Sequence, residues 1–178
     1  MVEGGGGERG RIASRRASHV ARRARVWQNW GVLINGGCHC GNIAFTLVWE
    51  PDPIEIPARA CTCSFCRKHG GVWTSHPDGV LRVAIGDPAR VSRYAFGTET
   101  AEFHVCGRCG VVPVVTSAID GNLYAVVNVN ALEGVDPSRL RRATSDVEGE
   151  DTASRLARRR RNWIARVELA ARTAGPAR

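Results

Sequence analysis

Between residues 43 and 129 the apolar positions fall in short runs, and from Leu81 onward the turn-forming residues that divide them leave no gap long enough for a crossover helix. The run Ile43 to Val48 (Ile-Ala-Phe-Thr-Leu-Val) reads as a strand. Further strands are expected at Leu81 to Ile85, Val91 to Phe96, Thr100 to Val105, Val111 to Thr116 and Leu123 to Val129. Gly86-Asp87-Pro88, Gly97-Thr98 and Asp120-Gly121-Asn122 supply the turns between them. The middle of the chain is therefore expected to be an antiparallel β domain. Toward the C-terminus the period changes: Asp151 or Thr152 can cap a helix whose apolar stripe is Leu156, Trp163, Ile164, Val167 and Ala171. Arg158 to Arg161 then fall mainly on the other faces and read as a solvated surface. Residues 1 to 25 carry no apolar pattern and are expected to be mostly disordered. The expected division is a basic N-terminal extension over 1–26, a β domain over 27–148, and a helix with a tail over 149–178.

Charge refines this division. The 178 residues carry a formal net charge of +8, but the surplus sits at the ends. Residues 1–25 hold seven Arg against two acids, residues 26–138 hold seven cations against ten acids, and residues 139–178 hold eleven Arg against five acids. Seven thiolates around two divalent metals would make the middle more acidic still, which argues against a phosphate backbone as its partner. No run approaches the ~20 apolar residues that would span a membrane, and no apolar core of a secretory signal follows the N-terminus. A soluble, cytoplasmic protein is expected.

All seven cysteines lie in three tight clusters: Cys38-His-Cys40-Gly, Cys61-Thr-Cys63-Ser-Phe-Cys66 and Cys106-Gly-Arg-Cys109-Gly. The odd number and the lack of an export signal argue against a disulfide framework. A thioredoxin-like pair at Cys106 and Cys109 would open a helix after a strand, whereas Gly107 and Gly110 suggest a turn between strands. An iron–sulfur cluster accepts the same ligands, but the short pairs fit zinc knuckles better. Two pairs followed at once by Gly look like the halves of a four-thiolate zinc site. The triplet Cys61, Cys63 and Cys66 is one ligand short, the usual mark of a zinc that keeps a position for water or substrate. Two zinc ions per chain are expected.

These three motifs, in this order, resemble the glutathione-dependent formaldehyde-activating family, also called the CENP-V/GFA domain family. The resembling stretch runs from Gly36 to about Val129, and a weaker similarity continues to Arg159–Trp163. The resemblance implies a mainly β fold of antiparallel sheets pinned by zinc, the β-tent or Mss4-like fold, with a C-terminal helix. It implies a structural zinc on Cys38, Cys40, Cys106 and Cys109, and a zinc at the active centre on Cys61, Cys63 and Cys66. It also implies a carbon–sulfur lyase activity of the S-(hydroxymethyl)glutathione synthase type, joining a low-molecular-weight thiol to a small aldehyde such as formaldehyde.

Three thiolates leave a zinc site at net charge −1, which favours a soft fourth ligand and so a thiol. Arg67 and Lys68, directly after Cys66, are candidates for the carboxylates of a glutathione-like substrate, and His69 or a water for proton delivery. His39 is expected to face away from the metal. His104 is a candidate extra ligand, and His76 with Trp73 a candidate pocket wall. The principal rivals are a closed zinc-binding module that docks a protein or nucleic acid through its Arg-rich ends, and a thiol carrier without catalysis.

Overall fold

The computed structural model describes Met1 and residues 31–172; the expected disorder of residues 1–26 lies outside the described residues apart from Met1. One compact unit begins at Gly31. Its strands are β1 (Val32–Gly37), β2 (Ile43–Trp49), β3 (Ile56–Cys61), β4 (Val72–Thr74), β5 (Val80–Ile85), β6 (Val91–Tyr94), β7 (Glu102–Cys106), β8 (Val114–Ile119), β9 (Asn122–Asn128), β10 (Leu132–Glu133), β11 (Leu140–Ser145) and β12 (Arg166–Ala171), with α-helices α1 (Ser64–His69) and α2 (Thr152–Asn162). They form a five-stranded sheet in the order β10-β1-β2-β5-β12 and a seven-stranded sheet in the order β11-β3-β4-β9-β8-β7-β6.

The fold is mainly β, as the apolar runs imply. Both sheets are mixed rather than purely antiparallel, because β12 pairs parallel with β5 and β11 pairs parallel with β3. In β2 every second residue is buried, so Ile43, Phe45, Leu47 and Trp49 form one inner face beside Leu81, Val83 and Ile85 of β5. That face meets Ile56, Val114, Ala125 and Val127 of the seven-stranded sheet in the main core.

The centre of the seven-stranded sheet, at β8 and β9, is buried on both sides. Along β8, Val114 belongs to the main core while Val115 belongs to a second cluster with Cys66, Trp73 and Val126. In β9, Val127 and Val126 divide in the same way. Double burial explains why these strands read as near-continuous apolar runs. It also sets up two chemically separate neighbourhoods, one on each face of the same sheet.

The C-terminal helix is shorter than its sequence pattern suggests. Asp151 caps α2, its carboxylate accepting from Ser154 N–H at 2.7 Å. The helix stops at Asn162, where Trp163 turns to extended backbone at ψ 157°. Ile164, fully buried, exchanges backbone hydrogen bonds with Ala125 at 3.0 and 2.9 Å, which draws the chain out of the helix. Val167 and Ala171 therefore lie in β12 on the free edge of β5, not on a helical stripe. Edge pairing satisfies backbone groups that β5 would otherwise leave open. Among the described residues no helix is long and apolar enough to cross a membrane.

Candidate metal centres and active-site cavity

Two cysteine pairs distant in sequence converge on the main-core side of the seven-stranded sheet. Cys38 and Cys40 occupy the turn between β1 and β2, whereas Cys106 ends β7 and Cys109 lies in the turn that follows. Their four sulfurs lie within 4.8 Å of one another, with Cys40 Sγ 3.5 Å from Cys106 Sγ and 3.7 Å from Cys38 Sγ. Each pair is closed by a matching turn: Gly41 N–H donates to Cys38 O at 2.9 Å and Gly110 N–H to Cys106 O at 2.8 Å. Both glycines have positive φ, 73° and 74°, which side-chain-bearing residues rarely adopt. The Ile43 N–H also donates to Cys38 Sγ at 3.2 Å.

The donor set fits a metal. Burial pushes the Cys38 thiol up to about 12, and sulfurs this deep ionise only when a cation compensates them. Four thiolates at tetrahedral scale are the composition of a closed structural site.

The second cluster lies on the other face of the sheet. Cys61 ends β3, Cys63 caps α1, and Cys66 sits on the buried side of α1, their sulfurs again within 4.8 Å of one another. Cys66 N–H donates to Cys63 Sγ at 3.4 Å, and the Trp73 indole N–H donates to Cys66 Sγ at 3.3 Å. Gly70, at φ 67°, ends the helix and returns the chain to β4, which carries Trp73 back beneath the sulfurs. The three thiols cannot ionise independently. Hydrogen bonding from Cys66 draws Cys61 down to about 6, while the same contact, together with burial, pushes Cys66 up. A divalent cation would resolve that competition by allowing all three to be thiolate. Among the described residues the cluster holds three potential ligands, so one coordination position would stay open.

All three of these cysteines, and none of the other four, line a cavity of about 610 Å³. Trp73, Phe96, Phe103, Val115, Val126 and Trp163 form its apolar walls. A cavity of this size takes a molecule of several functional groups rather than a single small one.

The other residues singled out in the sequence are placed as follows. His39 is exposed. Arg67 and Lys68 are exposed on α1 and do not line the cavity, because Cys66 takes the inward side of that short helix and the next two positions turn away. His69 packs against Phe65 with ring centroids 4.5 Å apart; its Nε2 is buried without a partner among the described residues, and burial lowers its pKa. His104 is buried on the main-core side, where its Nε2 lies 2.8 Å from Thr116 Oγ1, and it joins neither cysteine cluster. His76 stacks on Trp49 at 5.0 Å and bonds Glu50 O at 2.9 Å, so Trp73 lines the cavity without it.

Four arginines that the charge pattern did not single out as functional line the cavity instead: Arg59 from β3, and Arg155, Arg158 and Arg159 from α2. The available signal was their helical spacing, since positions 155, 158 and 159 share one face. The run Arg158 to Arg161 is split between environments. Arg158 and Arg159 turn inward, Arg160 pairs with Asp120 outside, and Arg161 is exposed.

Comparison with known proteins places this arrangement. A protein of Halomonas elongata described as a putative glutathione-dependent formaldehyde-activating enzyme is 33% identical over 85 residues, which is 44% of this chain and 52% of that protein. The chain thus spans about half the length of this curated relative. A crystal structure of a Rhodobacter sphaeroides protein is similar to 58% of this chain and covers 92% of its own, at 33% identity and a TM-score of 0.42. The sequence profile described as glutathione-dependent formaldehyde-activating enzyme matches residues 33–145, the stretch that carries all seven cysteines. With well over half its length inside that profile, the chain belongs to the glutathione-dependent formaldehyde-activating family.

Proposed function

We propose that this protein is a zinc enzyme of the carbon–sulfur lyase type, which adds a low-molecular-weight thiol such as glutathione to a small aldehyde such as formaldehyde, or reverses that step. Cys61, Cys63 and Cys66 would hold the zinc at the active centre, and Cys38, Cys40, Cys106 and Cys109 a structural zinc. The observation that carries this reading is the asymmetry of the two clusters: the three-cysteine set opens into the 610 Å³ cavity and the four-cysteine set does not. Zinc would supply an open position at which an incoming thiol is held as thiolate near neutral pH.

The chain's own residues do the rest. The Trp73 N–H holds Cys66 in orientation, as outer-shell donors do for metal-bound sulfur. The aromatic and aliphatic walls limit water, so that thiol and aldehyde meet in a confined space at high effective concentration. A carbon–sulfur bond forms as the carbonyl π pair moves to oxygen, and that oxygen takes a proton. His69 does not line the cavity, so the proton is assigned to water at the mouth.

The test is the rate of glutathione–formaldehyde condensation, followed by exchange NMR at equilibrium, for wild type and Cys63→Ser. Wild type should accelerate exchange, and the substitution should reduce that acceleration by on the order of 100-fold while the fold is kept. Equal rates with and without wild-type protein would contradict the reading.

A further inference from the structure

Among the described residues, three of the cavity's four guanidinium groups have no carboxylate partner. Of its four guanidinium groups only Arg158 is matched: its Nε and Nη2 grip both oxygens of Glu150 at 2.8 to 3.0 Å. Arg155 donates to the backbone carbonyls of Val147 and Glu150. Arg59 donates from Nη2 to Ser75 Oγ at 2.7 Å. Arg159 is 6% exposed, and its Nη1 contacts Thr100 O, Thr100 Oγ1 and Ser117 Oγ while its guanidinium lies 4.9 Å from the Trp163 ring centroid. Among the described residues Arg59, Arg155 and Arg159 make no ion pair. Among the described residues the one acid in the cavity wall is Glu148, which is exposed.

Two of these groups have unused donors. The Nε–H of Arg155 and of Arg159, one helical turn apart, are buried without a hydrogen-bond partner among the described residues. Buried charge is ordinarily paired, and a buried donor left unmade is costly. Burial and the neighbouring guanidiniums of Arg155 and Arg158 already disfavour the charged form of Arg159. An arriving anion would relieve both the unpaired charge and the mutual repulsion. A planar carboxylate matches the guanidinium fork, and the same cavity offers the metal cluster to a sulfur.

We infer that Arg59, Arg155 and Arg159 form a carboxylate-binding subsite, so that the cavity selects a thiol bearing at least one carboxylate and discriminates against neutral thiols. The inference rests on the proposed thiol chemistry of the three-cysteine cluster and adds the specificity element to it. Arg155 and Arg159 lie beyond residues 33–145, so two of the three arginines come from the C-terminal helix and only Arg59 from the matched family region.

Calorimetry on the zinc-loaded full chain separates the two ideas. S-Methylglutathione, with a blocked sulfur and free carboxylates, and its diethyl ester probe the arginines; 2-mercaptoethanol probes the metal cluster. Wild type should bind the free acid about tenfold more tightly than the ester or better. Arg59→Gln and Arg155→Gln should each erase most of that preference, with Arg59→Lys restoring part of it and 2-mercaptoethanol binding unchanged. Equal affinity for acid and ester, a preference that survives both substitutions, or no binding of the acid would overturn the subsite. Failure of 2-mercaptoethanol alone, with the acid preference intact, would instead count against the thiol site.

Discussion

A single N–H group shows how closely the three-cysteine cluster is controlled. Trp73 reaches Cys66 Sγ from β4, and its ring also forms part of the cavity wall. Trp73→Phe keeps an aromatic ring there but removes the donor, so it separates packing from hydrogen bonding. Loss of such an outer-shell partner typically costs 10- to 100-fold in metal affinity. We expect Trp73→Phe to bind zinc at this cluster about tenfold more weakly, as read by competition with a chelator, while the four-cysteine cluster is unaffected. Unchanged affinity at both clusters would mean that the indole serves only as a wall.

At the scale of elements, α2 is where the sequence was least legible. Its start was readable, since Asp151 caps the helix in the ordinary way, but its end was not. Trp163, Ile164, Val167 and Ala171 fit a helical stripe, and what overrides that period is tertiary: Ala125 and the free edge of β5 offer backbone partners to the extended chain. The parallel edge strand β11 was missed for the same reason, because Leu140–Ser145 is mostly exposed and has no apolar alternation to announce it. Strands buried on one or both faces, such as β2, β5, β8 and β9, were visible because burial writes the pattern directly. The cysteine clusters were legible from spacing. The arginines were not, because a charge run does not reveal which of its members turns inward.

The docking of α2 also carries a pH signature. The hydrogen bonds from Arg158 hold the Glu150 carboxyl below its ordinary 4.5. A carboxylate lowered on folding contributes stability that is fully present above its unfolded value and is lost as pH falls through the folded one. The difference in urea midpoint between wild type and Glu150→Gln should therefore be constant above about pH 5.5 and shrink steadily below pH 4.5. Zinc release at low pH acts on both proteins alike and cancels in the difference. A gap independent of pH between 6 and 3 would remove Glu150 from the docking of α2.

Across the whole molecule, the two cysteine clusters sit on opposite faces of one sheet and have opposite relations to the fold. The four-cysteine cluster joins the β1–β2 turn of the five-stranded sheet to the β7 turn of the seven-stranded sheet, 66 residues away in sequence. A metal there would staple the sheets together. Structural zinc sites contribute about 10–16 kcal/mol, comparable to the ~5–15 kcal/mol net stability of a whole domain. The three-cysteine cluster is more local, spanning only the end of β3 and α1, and should be dispensable for folding. The most direct measurement is zinc content with thermal unfolding and glutathione calorimetry on wild type, Cys63→Ser and Cys109→Ser. Two zincs and thiol binding in wild type are expected, with a folded Cys63→Ser that binds no thiol and a Cys109→Ser that has lost its cooperative fold. A Cys63→Ser protein that still binds glutathione as wild type does, or a Cys109→Ser protein of unchanged stability, would contradict the division of roles between the two clusters.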